Sequence, residues 1–446
     1  MAAMRITLAL VQRQYLMFFL PLALMSALQS TTFQVRNAIL ARYEDPAREL
    51  ATLGFALSTF LLLWAFNNFI PQMSNVLARS KRALVVTRNT TWALNGLATV
   101  FLGLLALTRP GGLLLQVVFD IHGAVLADVQ LYLLLLSPTM LTSGHLQWRE
   151  GLLVQARRTP LLTTTQLTNL LVSSGWLVGA FWLGASPTQA VIGSSYAATL
   201  LRVGLTEYLF SRYYQAPAVA SHQSLTYRET LRFLLPAAAS GAILNFSRPW
   251  LFACLGRTSD PLVAVASLRV AYDLLGAMQS ISNQFRHLCA TFGLDDIAGK
   301  RRFMVKVAAI LCAALVLSTN VPALSDPIFR QAFGLTGPVL DMTVATARIV
   351  SIAPLLLIAR NFFHTQLIAR SATQGIALGS SARLVVLLVL APSLLLLDRL
   401  NPQSAALILL VGFTTETTIA GWVLRRLGAP HEQATTTSFV TTSHPR

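Results

Sequence analysis

The stretch Phe18–Asp45, FFLPLALMSALQSTTFQVRNAILARYED, decides the fold that this sequence predicts. It begins as an apolar run, carries a proline at Pro21, and places Arg36 and Asn37 near its far end, where a membrane helix favours leucine. Ionisable groups are expensive inside a bilayer, so they usually face an interior cavity or a partner. The stretch therefore predicts a membrane helix with a polar site on its inner side.

The same pattern of residues recurs about half the chain length later. Pro21 recurs as Pro236, and Asp45-Pro46 recurs as Asp260-Pro261, at the same distance along the chain. We call this distance, from Pro21 to Pro236, the repeat offset. Further landmarks follow at or close to it: Pro138 and Pro354, Ala156-Arg157 and Ala369-Arg370, Pro187 and Pro402. These landmarks predict two copies of one membrane unit. With six spans in each copy, both enter the membrane with the same polarity, as a parallel repeat.

Composition places the chain in a membrane. It is 54% hydrophobic and 11% charged, whereas a soluble chain carries roughly 25% charged residues. Many windows reach the roughly 20 apolar residues that a spanning helix needs, and the alternating segments of a membrane β-barrel are absent. The formal charge of +17 fits the basic bias of cytoplasmic loops, and no soluble basic domain suggests nucleic acid. An all-α polytopic membrane protein is therefore expected.

We divide the chain into two six-helix domains, 1–211 and 229–426, joined by a cytoplasmic linker, 212–228, and followed by a disordered polar tail, 427–446. The predicted spans are 14–40, 51–77, 89–108, 127–154, 161–184, 190–211, 229–256, 263–291, 304–323, 341–368, 375–398 and 404–424. Alternate loops are rich in arginine and lysine, which predicts that both termini are cytoplasmic. We expect a monomer in the inner or plasma membrane.

Several arginines inside the spans have no carboxylate three or four residues away on their own helix. They are Arg36, Arg248, Arg360 and Arg383. Cations of this kind would favour an anion, by charge and by bidentate contact to carboxylate or phosphate. Interface snorkelling is the structural alternative for Arg36.

Other charged residues in the spans have a structural interpretation. Arg269 and Asp273 are four residues apart and can neutralise each other on one helix face. Arg149 and Glu150 sit near a helix end, where snorkelling suffices. Arg202 and Glu207 can bridge to neighbouring helices.

Catalysis and metal binding are not indicated. No HExxH, GxSxG or P-loop motif occurs, and Cys254, Cys289 and Cys312 have no metal-type spacing. The sequence therefore predicts no enzyme, no cofactor and no metal site.

One segment resembles the progressive ankylosis protein family: YEDPARELATLGFALS at 43–58, followed by NVLARSKR at 75–82. Ser247-Arg248-Pro249 and GFTTETT at 412–418 resemble later motifs of that family. The similarity is spread over all twelve spans and is best in 33–82, 228–250 and 348–420. The family has the arginine and asparagine of positions 36 and 37 in the opposite order, and it carries a long acidic tail that this chain lacks.

The resemblance implies membership of the multidrug, oligosaccharide-lipid and polysaccharide (MOP) exporter superfamily. It implies two six-helix bundles around a central cleft, alternating access, and export of small polyanions such as pyrophosphate, ATP or citrate. Arg248 and Glu416 match the family's motifs directly, and Arg202 falls where the family also has an arginine.

We therefore predict a secondary transporter of a small organic or phosphorylated anion. The predicted substrate-binding residues are Arg248, Arg360, Arg383, Arg36, Asn37 and Arg202, and the predicted coupling or ion-pair residues are Glu416 and His145. Three alternatives stay open: a lipid-linked oligosaccharide or polysaccharide flippase, a multidrug exporter of the same fold, and a membrane scaffold that transports nothing.

Overall fold

The computed structural model describes residues 2–156, 158–215, 225–285, 288, 292, 294–370, 372 and 374–427. All regular secondary structure in these ranges is helical. Arg157, Arg286, Cys289 and the predicted tail from residue 428 onward lie outside the described residues.

The helices of the first half are α1 Ala2–Leu40, α2 Pro46–Trp64, α3 Ile70–Leu77, α4 Lys81–Leu107, α5 Arg109–Phe119, α6 Gly123–Leu136, α7 Thr139–Gln155, α8 Thr159–Trp182 and α9 Pro187–Tyr213. A 3-10 segment, Ala65–Phe69, joins α2 to α3.

The helices of the second half are α10 Tyr227–Leu255, α11 Pro261–Asn283, α12 Ile297–Asn320, α13 Gly337–Val350, α14 Ala353–Ala369, α15 Gln374–Leu396 and α16 Pro402–Arg426. Between α12 and α13 the chain forms a helical turn, Pro322–Ser325, and a π-helical segment, Asp326–Ala332.

Two of the landmark pairs of the repeat fall at equivalent helix starts. Asp45 precedes α2, and its side chain accepts a hydrogen bond from the backbone N–H of Arg48 at 3.1 Å; Asp260 immediately precedes α11. Proline follows at the first helical position in both, where it needs no hydrogen-bond partner for its nitrogen. Pro187 and Pro402 likewise begin α9 and α16.

Eight helices in the described residues are long and apolar enough to cross a membrane, or nine if α13 and α14, which bend by 40°, form one span. Each of the twelve predicted spans overlaps one long helical segment, so a twelve-span arrangement is compatible with this result. The third segment starts earlier than predicted, at Lys81, because the Ser80 side chain caps the helix by accepting from Ala83 N at 3.2 Å.

Helix packing repeats between the halves. The pairs α8–α9, α7–α9, α1–α8 and α2–α6 of the first half correspond to α15–α16, α14–α16, α10–α15 and α11–α13 of the second. The halves meet where α1 and α2 pack against α10 and α11. Buried apolar side chains of all four helices form one core there, with Leu50, Phe55, Phe252 and Leu268 fully buried. This contact surface positions the cavity between the two halves.

Candidate functional site

A cavity of about 270 Å³ lies between the two halves of the molecule. It is lined by α1 and α2 of the first half and by α10, α11, α15 and α16 of the second. Its charged lining residues in the described chain are Arg248, Asp273 and Arg383, and neutral hydrogen-bonding groups such as Asn245, Gln279 and Asn283 accompany them.

The cavity lies on the axis that relates the two copies of the repeat. Its lining includes pairs of residues that are counterparts at the repeat offset: Ser30 and Asn245, Phe33 and Arg248, Leu61 and Gly276. Two residues that are counterparts in the repeat and line the same cavity lie on either side of the axis that relates the two halves. The lining is nevertheless asymmetric, because the arginine of the second half corresponds to a phenylalanine in the first.

Asp273 on α11 organises the charges on one side of the cavity. Its carboxylate accepts a hydrogen bond from Arg248 Nη1 at 2.9 Å and another from Asn37 Nδ2 at 2.9 Å. Arg269 Nε stands 3.9 Å from the same carboxylate, and its Nη1 donates to the Leu50 carbonyl of the first half at 2.6 Å. Arg36 is close enough to Asp273 to interact electrostatically. One carboxylate is thus shared by several cations from both halves.

Glu416 on α16 plays the same part on the other side. Its carboxylate lies 3.1 Å from Arg383 Nη1, 3.7 Å from Arg360 Nη1 and 3.6 Å from His364 Nε2. Ser380 donates a hydrogen bond to it at 3.1 Å. Arg360, His364 and Glu416 are each 1% exposed, so this network belongs to the protein interior, and it reaches the cavity through Arg383.

The site carries more positive than negative charge. The arginines that line the cavity or stand next to its carboxylates are Arg36, Arg248, Arg269, Arg360 and Arg383. Among the described residues their ion pairs go to two carboxylates, Asp273 and Glu416. Five arginines against two carboxylates leave a formal surplus of three positive charges. Buried charge of this kind needs compensation, and an anion in the cavity would supply it.

A second ion-pair network lies in the first half, away from the cavity. Glu207 on α9 contacts His145 Nε2 at 2.6 Å and Arg149 Nε at 2.6 Å, and Arg202 pairs with Glu150. None of these residues is among those that line the cavity.

This network has a counterpart in the second half. His145 and Arg149 on α7 correspond, at the repeat offset, to Arg360 and His364 on α14. In both halves such a basic pair, four residues apart, contacts a carboxylate from the last helix of the half. The arrangement is therefore part of the repeated design of the bundle.

The predicted site residues lie in three parts of the structure. Arg248 and Arg383 line the cavity, and Arg360 and Glu416 lie behind Arg383 in its network. Arg36 and Asn37 lie on α1 at the Asp273 cluster. Arg202 and His145 lie in the separate network of the first half.

Sequence reasoning missed the central role of Asp273. It assigned this carboxylate to Arg269 alone, yet the shorter contacts of Asp273 are to Arg248 and Asn37 on two other helices. The repeat offset carried a usable signal, because it aligns Phe33 with Arg248, and both residues line the cavity. Among the described residues no group of three or more His, Cys, Asp or Glu could hold a metal ion.

No protein-family model matches the sequence, and no curated protein matches it at a significant level. Solved structures do match. A eukaryotic MATE transporter aligns with a TM-score of 0.62 and 15% identity over 93% of this chain and 96% of that one. The lipid II flippase MurJ in an inward closed conformation aligns with a TM-score of 0.65 and 12% identity over 91% of this chain and 87% of its own.

A third match is a MOP superfamily transporter from Pyrococcus furiosus, described as having a binding pocket of reverse polarity that suggests a different function. It aligns with a TM-score of 0.57 and 12% identity over 92% of this chain and 95% of its own. The predicted fold class is thereby confirmed: the chain has the all-helical fold of the MATE transporters and other MOP superfamily members, and is built as a multi-pass membrane protein.

Proposed function

We propose that this chain is a secondary transporter that exports a small organic or phosphorylated anion through the cavity between its two halves. The observation that carries the proposal is the surplus of positive charge around that cavity, where the described residues place five arginines against two carboxylates. Arg248 and Arg383 are the cations that meet the cargo, because both line the cavity.

Arginine suits this role physically. Its guanidinium stays charged and offers paired donors that match carboxylate or phosphate oxygens. Aromatic rings help to hold both arginines in place. Arg248 Cζ lies 5.4 Å from the centre of the Phe252 ring, and Arg383 Cζ lies 5.2 Å from the centre of the Phe413 ring. A cargo anion would compete with Asp273 and Glu416 for these arginines and would balance part of the surplus positive charge.

The size of the cavity favours a small cargo. With about 30 Å³ for each water in the liquid, 270 Å³ corresponds to about nine waters. A citrate or a pyrophosphate fits such a volume. The resemblance to the progressive ankylosis family supports the same cargo class of citrate, pyrophosphate or a nucleotide.

The two-fold design supports alternating access. A site on the axis between two similar halves can open to either side when the halves rock against each other. In this proposal the domains are 1–211 and 229–426, the chain works as a monomer, and both termini are cytoplasmic. Glu416 releases an arginine when cargo binds or carries a coupling proton, and His145 and Arg202 stabilise the first half.

The direct test is flux of radiolabelled citrate and pyrophosphate through proteoliposomes containing the purified protein. We expect wild-type protein to move one of them, and Arg248→Ala to reduce the rate at least tenfold with equal protein in the vesicles. The matched control is Arg48→Ala, which removes an arginine paired with Asp128 at the half-exposed start of α2 and is expected to keep the flux. Normal flux through Arg248→Ala would overturn the assignment.

The alternatives predict other results in the same vesicles. A flippase would move a lipid-linked phosphate sugar and leave citrate and pyrophosphate untouched. A multidrug exporter would move organic cations, and a scaffold would move nothing. Any of these outcomes would replace the anion proposal.

A further inference from the structure

Two arginines connect the halves of the molecule on the face that carries the α1–α2 and α10–α11 loops. Arg42 follows α1, and its Nη2 donates to the carbonyls of Gln331 at 2.6 Å and Ala332 at 2.8 Å in the second half. Arg257 follows α10, and its Nη1 donates to the Val118 carbonyl of the first half at 2.8 Å, while its Nη2 donates to the Val117 carbonyl. Each half thus donates hydrogen bonds to the other.

These contacts obey the repeat. Arg42 and Arg257 are counterparts at the repeat offset, and so are Val117 and Ala332. Each guanidinium also donates to the carbonyl four residues back on its own helix, Ala38 for Arg42 and Ala253 for Arg257, both at 2.5 Å. Reciprocal contacts between counterparts show that the two arginines straddle the same axis as the cavity.

The acceptors explain why arginine is used. Val117 and Val118 lie in the last turn of α5, and Gln331 and Ala332 end the π-helical segment Asp326–Ala332. Carbonyls in the last turn of a helix lack partners along the helix and carry its partial negative charge. A guanidinium bound there satisfies two carbonyls at once and can release them without leaving a buried charge, since Arg42 and Arg257 are exposed.

Close backbone packing supports both contacts. The carbonyl of Phe119, at the end of α5, approaches Gly256 so closely that a Cβ atom would have no room there. A Cβ atom on Gly334 would stand 2.9 Å from Arg42 Cγ, and the φ of +70° at Gly334 also favours glycine. Beneath the arginines, Phe55 packs against Phe119 at 5.2 Å and Phe252 at 6.4 Å between ring centres. An aromatic layer from both halves therefore joins the arginines in closing this face.

We propose that Arg42 and Arg257 form a two-part clasp that closes the cavity on this face, and that both contacts must release before the cavity opens there. The inference rests on the proposed alternating-access function, but its geometry does not depend on which cargo is carried. The clasp places the described conformation in the state that is shut on this side.

The clasp is tested by accessibility, which needs no cargo. Ser30 lines the cavity, so Ser30→Cys is introduced into a chain whose native cysteines are replaced by alanine. A membrane-impermeant maleimide is then applied to each face in turn, using intact cells and inside-out vesicles. We expect Arg42→Ala with Arg257→Ala to raise the labelling rate from the clasp face at least tenfold, and each single variant to raise it less.

Arg399→Ala is the matched control, because Arg399 is an exposed arginine just after α15, and it is expected to label at the parental rate. A double variant that folds by size-exclusion profile and labels no faster than this control would overturn the clasp. If anion flux fails while the double variant still labels faster, the clasp stands and the cargo assignment falls.

A second measurement covers a double variant that does not fold. Val118→Cys and Arg257→Cys are introduced together with Ser30→Cys. The thiol of Ser30→Cys is first blocked with a removable group, the thiols of Val118→Cys and Arg257→Cys are joined by a reducible bifunctional reagent, and the block is then removed without reduction. We expect the cross-link to abolish labelling of Ser30→Cys from the clasp face, and reduction to restore it. A rate of Ser30→Cys labelling from the clasp face that is the same with and without the cross-link would contradict the proposal.

Discussion

Gly54 lies against the side chain of Arg269, which is its own counterpart in the second half of the repeat. A Cβ atom on Gly54 would stand 3.3 Å from Arg269 Cδ and 3.2 Å from Phe252 Cε2. A residue that touches its counterpart lies at the axis of the repeat, so α2 and α11 meet there. The missing side chain at Gly54 lets Arg269 pass and donate to the Leu50 carbonyl at 2.6 Å.

Gly54→Leu is expected to wedge the two halves apart. Overpacking a tight contact costs about 1–3 kcal/mol, which corresponds to a fall in melting temperature of about 1–3 °C for a chain of 446 residues. Differential scanning fluorimetry of the purified protein measures it. Gly96→Leu is the matched control, because nothing lies within 4 Å of a Cβ built on Gly96; equal losses in the two variants would contradict an axis contact at Gly54.

Asp273→Asn tests the shared carboxylate. Removing one partner of a buried ion pair is destabilising by about 3–5 kcal/mol, since Arg248 and Arg269 lose their carboxylate. A bound anion would offset that loss. We therefore expect a lower melting temperature without ligand and a larger rise on adding citrate or pyrophosphate than in the wild type. An anion-induced rise no larger than that of the wild type would argue against exchange between cargo and Asp273.

Glu416→Gln and Glu207→Gln separate the two networks. Glu416 contacts Arg383, which lines the cavity, whereas Glu207 contacts His145 and Arg149 in the first half. Both variants are expected to lower the melting temperature. Glu416→Gln is also expected to change the concentration of anion needed for half-maximal stabilisation by at least threefold, and Glu207→Gln to leave it unchanged. The reverse pattern would move the site into the first half.

Hydropathy and proline spacing predicted most of the helical layout. Each predicted span overlaps a long helical segment, and landmarks such as Asp45-Pro46 and Asp260-Pro261 begin equivalent helices. The short helix α5, Arg109–Phe119, was missed, because it is too short to span a membrane and was interpreted as a loop. Its last turn nevertheless accepts the Arg257 contact between the halves.

The cations of the site were predictable and their partners were not. Arg248, Arg360 and Arg383 stand out because charge is rare in apolar helices. Their carboxylates come from other helices: Asp273 reaches Arg248 from α11, and Glu416 reaches Arg360 and Arg383 from α16. A search for carboxylates three or four residues away along the sequence finds only partners on the same helix. These contacts join different helices, so they depend on how the helices pack.

The most direct test of the central claim is the melting temperature of the purified protein with citrate, pyrophosphate, ATP, lipid phosphates and quaternary ammonium compounds. A ligand at 100 times its Kd stabilises the folded state by about 2.7 kcal/mol, a rise in melting temperature of about 3 °C for a chain of 446 residues. We expect this rise with a small anion in the wild type and in Arg48→Ala, and its loss in Arg248→Ala. Stabilisation by lipid phosphates or organic cations alone, or an anion effect that survives Arg248→Ala, would contradict this claim.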